Sequence, residues 1–589
     1  EVPPSGAGVN RRALRRGLRC RARRASDRIA PLAGAATRGS GRRAGRGSGS
    51  RPASSGRAVA RQSRQPGSDR GAGGSLAAAR AASWAPAAAV LLCAALLGWL
   101  QLSFDGLADS DSYFHARAAR ELSDSGFRRT FPQAAFSTWS ERYSDKDLLF
   151  HVALIPFQIL DAGLPGSPDA RREDLTTSAK QAMTVLALAF FAALAFALRS
   201  LGARFAWYWI VLYFSVNLAV LRQLLPVRPG LLGATFLVLE IALLVRRKGA
   251  WLAVAGALHA YAHSSFVLLP AIALAATAAF VLRREPPRLR LLGFAVLGPA
   301  VACLLHPYFP NNLFVAWDQI FEVARGVWWQ TAEIPADLFG AELGPTLTSN
   351  VLRYFAGLLP AACGILAFLA FPSRRLSTDG LGLLFVTGVL AVAAFLSERF
   401  LQFLLPVAVL LGARLWSEIL GDVTLREALR RDARAFGLGA GLLGFCLAAG
   451  LAHGSVFALA REVRAMGTAE LQRPAIEFLD RAAAPGDVVY HNFWWDFSAL
   501  YHFRPDGRYV VALDPVFFHR HDPALFRKSL DAYRGESEDL YRVLREDFGA
   551  RWVYLPKGPR HLPFFNLMRK DPRFLKAYED EHVVIARLG

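Results

Sequence analysis

Charge is scarce along most of this 589-residue chain, and so are lysine, methionine and cysteine. Only 20% of its residues are charged, 53% are apolar, and the mean hydropathy is +0.26. A single soluble core of that size and composition would be unusual. Several spans of about 20 apolar residues are the alternative. The five cysteines are Cys20, in a basic tail, and Cys93, Cys303, Cys363 and Cys446, in apolar runs. The last 135 residues contain none, which excludes a disulfide framework or a CxxC metal site there. Lysine numbers 7 against 62 arginines, which points to a GC-rich genome more than to a function. No internal repeat is visible, and this weighs against a transporter assembled from two related halves. The first apolar run, beginning near Trp84, lacks a clear A-x-A site, so it is expected to be an uncleaved anchor.

The formal net charge of +22 is unevenly spread. Residues 1–83 hold 19 Arg against Glu1, Asp27 and Asp69, so the remaining chain is only mildly basic. That segment is rich in Arg, Gly, Ser and Ala and is expected to be a disordered cytoplasmic tail. A nucleic-acid-binding arm is the other meaning of such composition. The positive-inside rule accounts for it more simply, and no nucleic-acid partner is expected.

Apolar runs recur near 84–104, 178–198, 205–221, 230–245, 250–263, 264–282, 289–305, 351–371, 381–396, 400–416 and 436–453, eleven as a working count. Basic clusters "RRK" (246–248), "RREPPRLR" (283–290), "PSRR" (372–375) and "REALRRDAR" (426–434) assign the intervening loops to the cytoplasm. The other face then receives residues 105–177, 222–229 and 306–350 and everything after about 454. The 13-residue apolar run at 148–160 is short for a span, and a crossing there would put "RRK" outside. It is expected to be an amphipathic or re-entrant element. The last 135 residues alternate strand-like runs ("DVVYH" 487–491, "RYVVAL" 508–513, "RWVYLP" 551–556, "HVVIARL" 582–588) with helical ones, an α/β pattern. The expected architecture is a polytopic helical membrane domain (84–453, about 11–13 spans) followed by an extracytoplasmic α/β domain (454–589).

Five stretches could carry chemistry. "DSDSYFH" (109–115) places Asp109 and Asp111 just outside the first apolar run. Paired carboxylates suit a hard cation such as Mg2+ or Mn2+, which would neutralise a phosphate leaving group. Asp is equally a good helix N-cap, and one residue can cap while the other binds metal. In "FLSERFLQFLLP", Glu398 and Arg399 sit where two apolar runs meet, a costly position for charge. They form either a local pair in a tight turn or an Arg that grips a lipid pyrophosphate. The aromatic loop 303–335 holds Asp318, Glu322 and Glu333; it lies on the membrane surface or covers a cleft and lends a carboxylate. His306, directly after an apolar run, either contacts phosphate or marks the interface. "HNFWWDF" (491–497) sets Trp494, Trp495 and Asp496 after the domain's first strand, as an acceptor pocket or as core with an N-cap. His259 and His263 have a metal-compatible i, i+4 spacing, but no acid accompanies them and helix packing is the simpler meaning.

Taken together, these features resemble the GT-C superfamily of membrane glycosyltransferases, and within it the catalytic subunit of oligosaccharyltransferase. The resemblance rests on "DSD" (Asp109, Asp111), "QTAEI" (Glu333), "SERFLQFLLP" (Arg399) and "WWDF" (Trp494, Trp495, Asp496), over residues 84–520. Residues 222–229, where that family carries a second acidic motif, contain only Arg222 and Arg228, and Phe497-Ser498 replace Tyr-Gly. The resemblance implies a multi-pass protein of the inner (cytoplasmic) membrane. It implies transfer of a sugar from a polyprenyl phosphate or pyrophosphate to a protein, lipid or glycan acceptor. Asp109 and Asp111 would be catalytic and, with Glu333, hold Mg2+ or Mn2+. Arg399, His306 and Arg228 would bind the donor phosphate, and Trp494, Trp495 and Asp496 the acceptor. A transporter of lipid-linked saccharide and a non-catalytic scaffold are the alternatives.

Overall fold

The computed structural model describes residues 72–162, 175–216, 224–323, 325, 334–335, 338–340, 343–344, 348–370, 375–421 and 468–589. Glu333, Arg222, the apolar run 436–453 and the tail up to residue 71 lie outside them.

The membrane part is helical because its sequence offers the backbone no partner but itself; in hydrocarbon every N–H and C=O must be satisfied within the segment. Its helices are α1 (Ala72–Leu102), α2 (Ser110–Ser125), α3 (Leu148–Ala162), α4 (Thr176–Ser200), α5 (Ala206–Val216), α6 (Gly230–Val245), α7 (Gly249–Ala262), α8 (Leu268–Leu282), α9 (Leu289–Leu304), α10 (Asn311–Trp317), α11 (Thr348–Ala370), α12 (Thr378–Leu396) and α13 (Leu401–Leu420). Among the described residues five helices are long and apolar enough to cross a membrane: Trp84–Leu102, Thr176–Ser200, Ser264–Leu282, Thr378–Leu396 and Glu398–Leu420. Helices at Gly230–Val245 and Leu289–Leu304 are apolar but shorter, which is why counting apolar runs gave a higher number.

Two stretches are placed as follows. Helix α1 begins at Ala72, so the tail expected to run to residue 83 is helical from there; its alanine-rich stretch has the highest intrinsic helix propensity. The run 148–160 is a regular helix, α3, and it packs against α2, α4 and α7. Phe150, His151, Leu154 and Gln158 line its buried side.

The C-terminal region is a small α/β domain. After helix α14 (Thr468–Ala482) come β1 (Val488–His491), α15 (Asp496–Phe503), β2 (Arg508–Tyr509), several short helices, β3 (Ala550–Pro556), β4 (Phe574–Glu579) and β5 (Val583–Leu588). The sheet order is β2-β1-β3-β5-β4. Strand β1 runs parallel to β2 and β3, while β5 is antiparallel to β3 and β4. Strand β2 is far shorter than the run at 508–513 suggests. Strand β4, "FLKAYE", carries no apolar alternation because it is the exposed edge.

Two features fix this domain over the helices. Residues 133–136 of the loop after α2 run beside β2: Tyr509 N donates to Gln133 O (2.7 Å), and Ala135 N and Phe136 N donate to Tyr509 O and Val510 O (2.8 and 3.1 Å). The loop thus adds to the sheet and covers its edge. Helix α2 packs on α15, where the buried Arg117 donates through Nε to His502 O (2.9 Å) and His502 Nδ1 bonds Tyr113 O (3.0 Å).

Candidate active site

The site is built outward from the start of α2. Asp109 is the N-cap: its Oδ1 accepts from Ser112 N at 2.9 Å and from the Ser112 hydroxyl. Ser112 Oγ in turn accepts from Val227 N at 2.8 Å, and Gln101 Nε2 donates to Leu225 O at 2.6 Å. These bonds draw the loop before α6 onto the end of α1 and the start of α2. In that loop Arg228 N donates to Pro226 O across a tight turn, and Pro229 follows. The result is an Arg228 side chain lying between the two aspartates. Its Nε contacts Asp109 Oδ2 and its Nη2 lies 3.0 Å from Asp111 Oδ2. The loop that lacks an acid therefore supplies a cation to the acids of another.

A cavity of about 410 Å³ opens beside this cluster. Asp111, His115 and Arg228 line it from α2 and the 226–230 loop, Lys146 and Asp147 from the start of α3, and His263 from the end of α7. Glu398 and Arg399, in the short 3-10 turn before α13, add one charge of each sign. Gln319, Ile320 and Val323 form a side wall. Trp494, Leu513 and Asp514 of the α/β domain close the top. Three cationic side chains thus converge on one polar space, an arrangement suited to phosphate oxygens.

The acidic groups differ in role. Burial pushes the Asp147 carboxyl up. Asp514 is pushed up to about 6 by burial, although Val516 N donates to its Oδ1 at 2.9 Å. Asp145, just behind the cavity wall, accepts from Asp147 N (3.0 Å) and contacts His151 Nδ1 at 2.7 Å.

Two buried hydrogen-bond chains end on the cavity. In the first, Asp145 Oδ2 meets His151 Nδ1, and His151 Nε2 meets His115 Nδ1 at 2.9 Å. In the second, Glu240 Oε1 meets His259 Nδ1 (2.9 Å), and His259 Nε2 meets Ser265 Oγ (2.8 Å). Ser265 Oγ also lies 2.8 Å from His263 Nδ1, which accepts from Ser265 N at 3.0 Å. An acceptor Nδ1 requires the proton of neutral His263 to sit on Nε2, as a donor. His259 is thus the packing histidine that the sequence suggested, whereas His263 lines the cavity.

The remaining expected site residues are placed as follows. His306 is buried beside α10, stacked on Tyr261 (centroids 5.1 Å apart), and does not line the cavity. Asp318 and Glu322 pair with Arg520 of the α/β domain at 3.2 and 3.8 Å and tie the aromatic loop to it. The Trp-Trp-Asp run diverges. Trp494 lines the cavity and donates from Nε1 to Leu338 O (2.6 Å). Trp495 is 44% exposed, with the Arg560 guanidinium 5.9 Å from its ring. Asp496 is buried in the first turn of α15 and caps nothing, because Trp495 holds the cap position. His561 Nε2 lies 3.9 Å from its Oδ1, and burial pushes its carboxyl up to about 8. Sequence reasoning missed Lys146, Asp147, Asp514 and the Asp145–His151–His115 chain. The one available signal was "SDKD" just before an apolar run, three charges that a membrane-embedded helix start would not tolerate without partners.

The donor set bears on the expected Mg2+ or Mn2+. Both aspartate Oδ2 atoms contact the Arg228 guanidinium, one at Nε and the other at Nη2. Two carboxylates that share a cationic partner are also the kind of oxygen donor a hard divalent ion takes. Among the described residues no group of three or more His, Cys, Asp or Glu side chains is arranged to hold a metal.

No protein-family model and no curated protein sequence matches the chain. Solved structures do. The oligosaccharyltransferase of Archaeoglobus fulgidus in its apo form aligns over 80% of this chain and 70% of its own, with TM-score 0.55 and 13% identity. The AglB oligosaccharyltransferase of the same organism, in complex with an inhibitory peptide and a dolichol-phosphate, aligns over 80% and 69% with TM-score 0.56 and 13% identity. ArnT from Cupriavidus metallidurans, bound to undecaprenyl phosphate, aligns over 85% and 97% with TM-score 0.51 and 13% identity. The chain has the GT-C fold. At this identity the likeness carries architecture, and the chemistry must be argued from the cavity.

Proposed function

We propose that the protein is a membrane glycosyltransferase that moves a sugar or oligosaccharide from a polyprenyl-phosphate or -pyrophosphate donor to an acceptor on the extracytoplasmic face of the inner membrane. The observation that carries this reading is the single cavity shared by Asp111, Arg228, Lys146, Arg399 and Trp494, between a membrane helix bundle and a folded domain. The GT-C fold supports it, as do the dolichol-phosphate and undecaprenyl phosphate in the AglB and ArnT structures.

In this reading Arg399 and Lys146 hold the donor phosphate, and His263 Nε2–H donates to one of its oxygens. Such fixed donors stabilise the negative charge that grows on the departing phosphate. Arg228 contributes from the side and orients Asp111. Glu333, which the sequence places in the same loop as the cavity wall, is a further candidate ligand. A divalent ion, when bound at Asp109 and Asp111, would add a second positive charge to the leaving group. Trp494 offers the acceptor a rigid apolar wall. Trp495 and Asp496, from the same short run, would act at the acceptor's outer end and through α15 respectively. His306 would brace Tyr261 and Tyr308 at the membrane surface and leave phosphate to the cavity residues.

The test compares the glycolipids and glycoproteins of a deletion strain with its parent, then complements with wild type and with Asp111→Asn. Wild type is expected to restore the missing glycoconjugate, and the variant to insert normally without restoring it. Full restoration by Asp111→Asn would overturn the assignment of the site.

A further inference from the structure

Sugar transfer leaves one proton to account for. As the acceptor's oxygen or nitrogen bonds the anomeric carbon, its own hydrogen must go to a base within hydrogen-bond reach. Several of the acids around the cavity, which also include Glu398, are engaged elsewhere. Asp109 caps α2 and contacts Arg228, Asp111 faces the same guanidinium, and Asp514 caps the helix Pro515–His521. Asp147 adjoins Lys146.

His115 differs from these groups. It lines the cavity, one turn along α2 from Asp111, and its other ring nitrogen is held from behind. With His151 neutral, the hydrogen-bond chain sets which nitrogen of His115 is basic. The Asp145 carboxylate can only accept, so the proton on His151 Nδ1 points to it. In neutral His151 the Nε2 atom is then an acceptor, so the partner, His115 Nδ1, is the donor. That leaves the lone pair of His115 on Nε2. All three side chains are at least 94% buried, and Phe114 and Phe150 pack edge-on against the His115 ring. The other charged or titratable groups facing it are His151, Lys146, Arg228 and His263, with Asp145 behind His151.

We infer that His115, held by His151 and Asp145, is the base that accepts the proton shed by the acceptor nucleophile. The inference rests on the transferase reading above and deepens it. The nucleophile's lone pair forms the new bond to the anomeric carbon, and the bond from that carbon to the phosphate oxygen breaks. The polyprenyl phosphate or pyrophosphate leaves with that electron pair. The nucleophile's proton goes to His115 Nε2, and the proton on His115 Nδ1 moves to His151 Nε2. The resulting imidazolium lies against the Asp145 carboxylate, so the positive charge comes to rest two side chains away from the reacting centre. His151 and Asp145 are positioning residues. The acceptor class that needs such a base is a neutral proton-bearing nucleophile, above all a hydroxyl.

The test supplies purified protein in deletion-strain membranes with radiolabelled undecaprenyl-phosphate hexose. It follows transfer as a function of pH and measures undecaprenyl phosphate binding separately. His115→Gln is expected to lose about 10²- to 10⁴-fold in rate with lipid binding within about twofold of wild type. Added imidazole should recover part of the activity of His115→Gly. Asp145→Asn should move the acid limb of the rate profile to lower pH, because the imidazolium loses its carboxylate, a shift that a purely structural role would not produce. If wild type transfers hexose and His115→Gln keeps its rate and pH profile, the inference is overturned while the transferase reading stands. If wild type transfers no hexose, the transferase reading fails with this donor class and takes the inference with it.

Discussion

Replacing Arg228 separates the electrostatic roles of the cluster at the start of α2. In the wild type one guanidinium contacts two carboxylates whose side chains are 19% and 24% exposed, and it is itself 33% exposed. Two unit charges about 4 Å apart attract by about 4 kcal/mol at an effective dielectric of 20. Partial exposure and the side-chain entropy of Arg reduce this, and exposed pairs are worth only about 0–1 kcal/mol. A net of about 1–3 kcal/mol for the bridged pair lies between these limits. A divalent cation entering the wild-type site must first displace that guanidinium. Arg228→Ala removes the competitor and leaves the carboxylates convergent. Since 1.4 kcal/mol is a tenfold change in an equilibrium constant, the variant should bind Mn2+ about 10- to 100-fold more tightly than wild type. Titration of the free Mn2+ electron paramagnetic resonance signal with detergent-solubilised protein reads this directly. Asp111→Asn in the Arg228→Ala background should abolish the gain. Equal Mn2+ affinity in wild type and Arg228→Ala, or weaker affinity in the variant, would refute the idea that the two cations compete for one position.

Two further outcomes are expected. The Asp496 carboxyl is raised to about 8 in the fold from an ordinary value near 4, so its contribution to stability is full below about pH 4 and is lost as pH rises towards 8. Asp496→Asn should therefore leave stability below pH 4 nearly unchanged and raise it by a few kcal/mol at pH 9, which thermal unfolding at the two pH values would reveal. At Gly233 an added Cβ would lie 2.8 Å from Ser265 Oγ and 3.0 Å from His263 Nδ1. Gly233→Val should displace His263 and weaken undecaprenyl phosphate binding about tenfold with little change in expression, as measured by lipid titration.

Much of the fold was legible because membranes leave few options. Apolar runs of α1, α4, α8, α12 and α13 announce themselves by length, and strands β1, β3 and β5 by β-branched, almost wholly buried runs between turns. The misses have physical causes. Strand β4 is exposed and so lacks a pattern. At the site, "DSD" and "SER" were conspicuous because carboxylates and guanidinium at a membrane edge demand an explanation, and both line one cavity. Arg228 was noticed only as the wrong residue in a loop expected to be acidic; its pairing with Asp109 and Asp111 spans more than a hundred residues. The His115–His151 contact joins residues 36 apart on two helices, with no spacing that a linear motif could encode. The Trp-Trp-Asp run is dispersed in space: three neighbours in sequence face a cavity, the solvent and a buried histidine in turn.

The strip of main chain at 133–136 that extends the sheet beside β2 makes the terminal globule and the bundle partners in a single hydrogen-bonded fabric. Residues 468–589 are for that reason an incomplete unit. Cut free, they would present a bare strand border and the underside of α15 to water, and both invite self-association. A secreted version of the globule would need the 131–140 stretch grafted back along that border. In the proposed reading, an acceptor reaching the cavity must slip in beneath a pinned canopy from its margins.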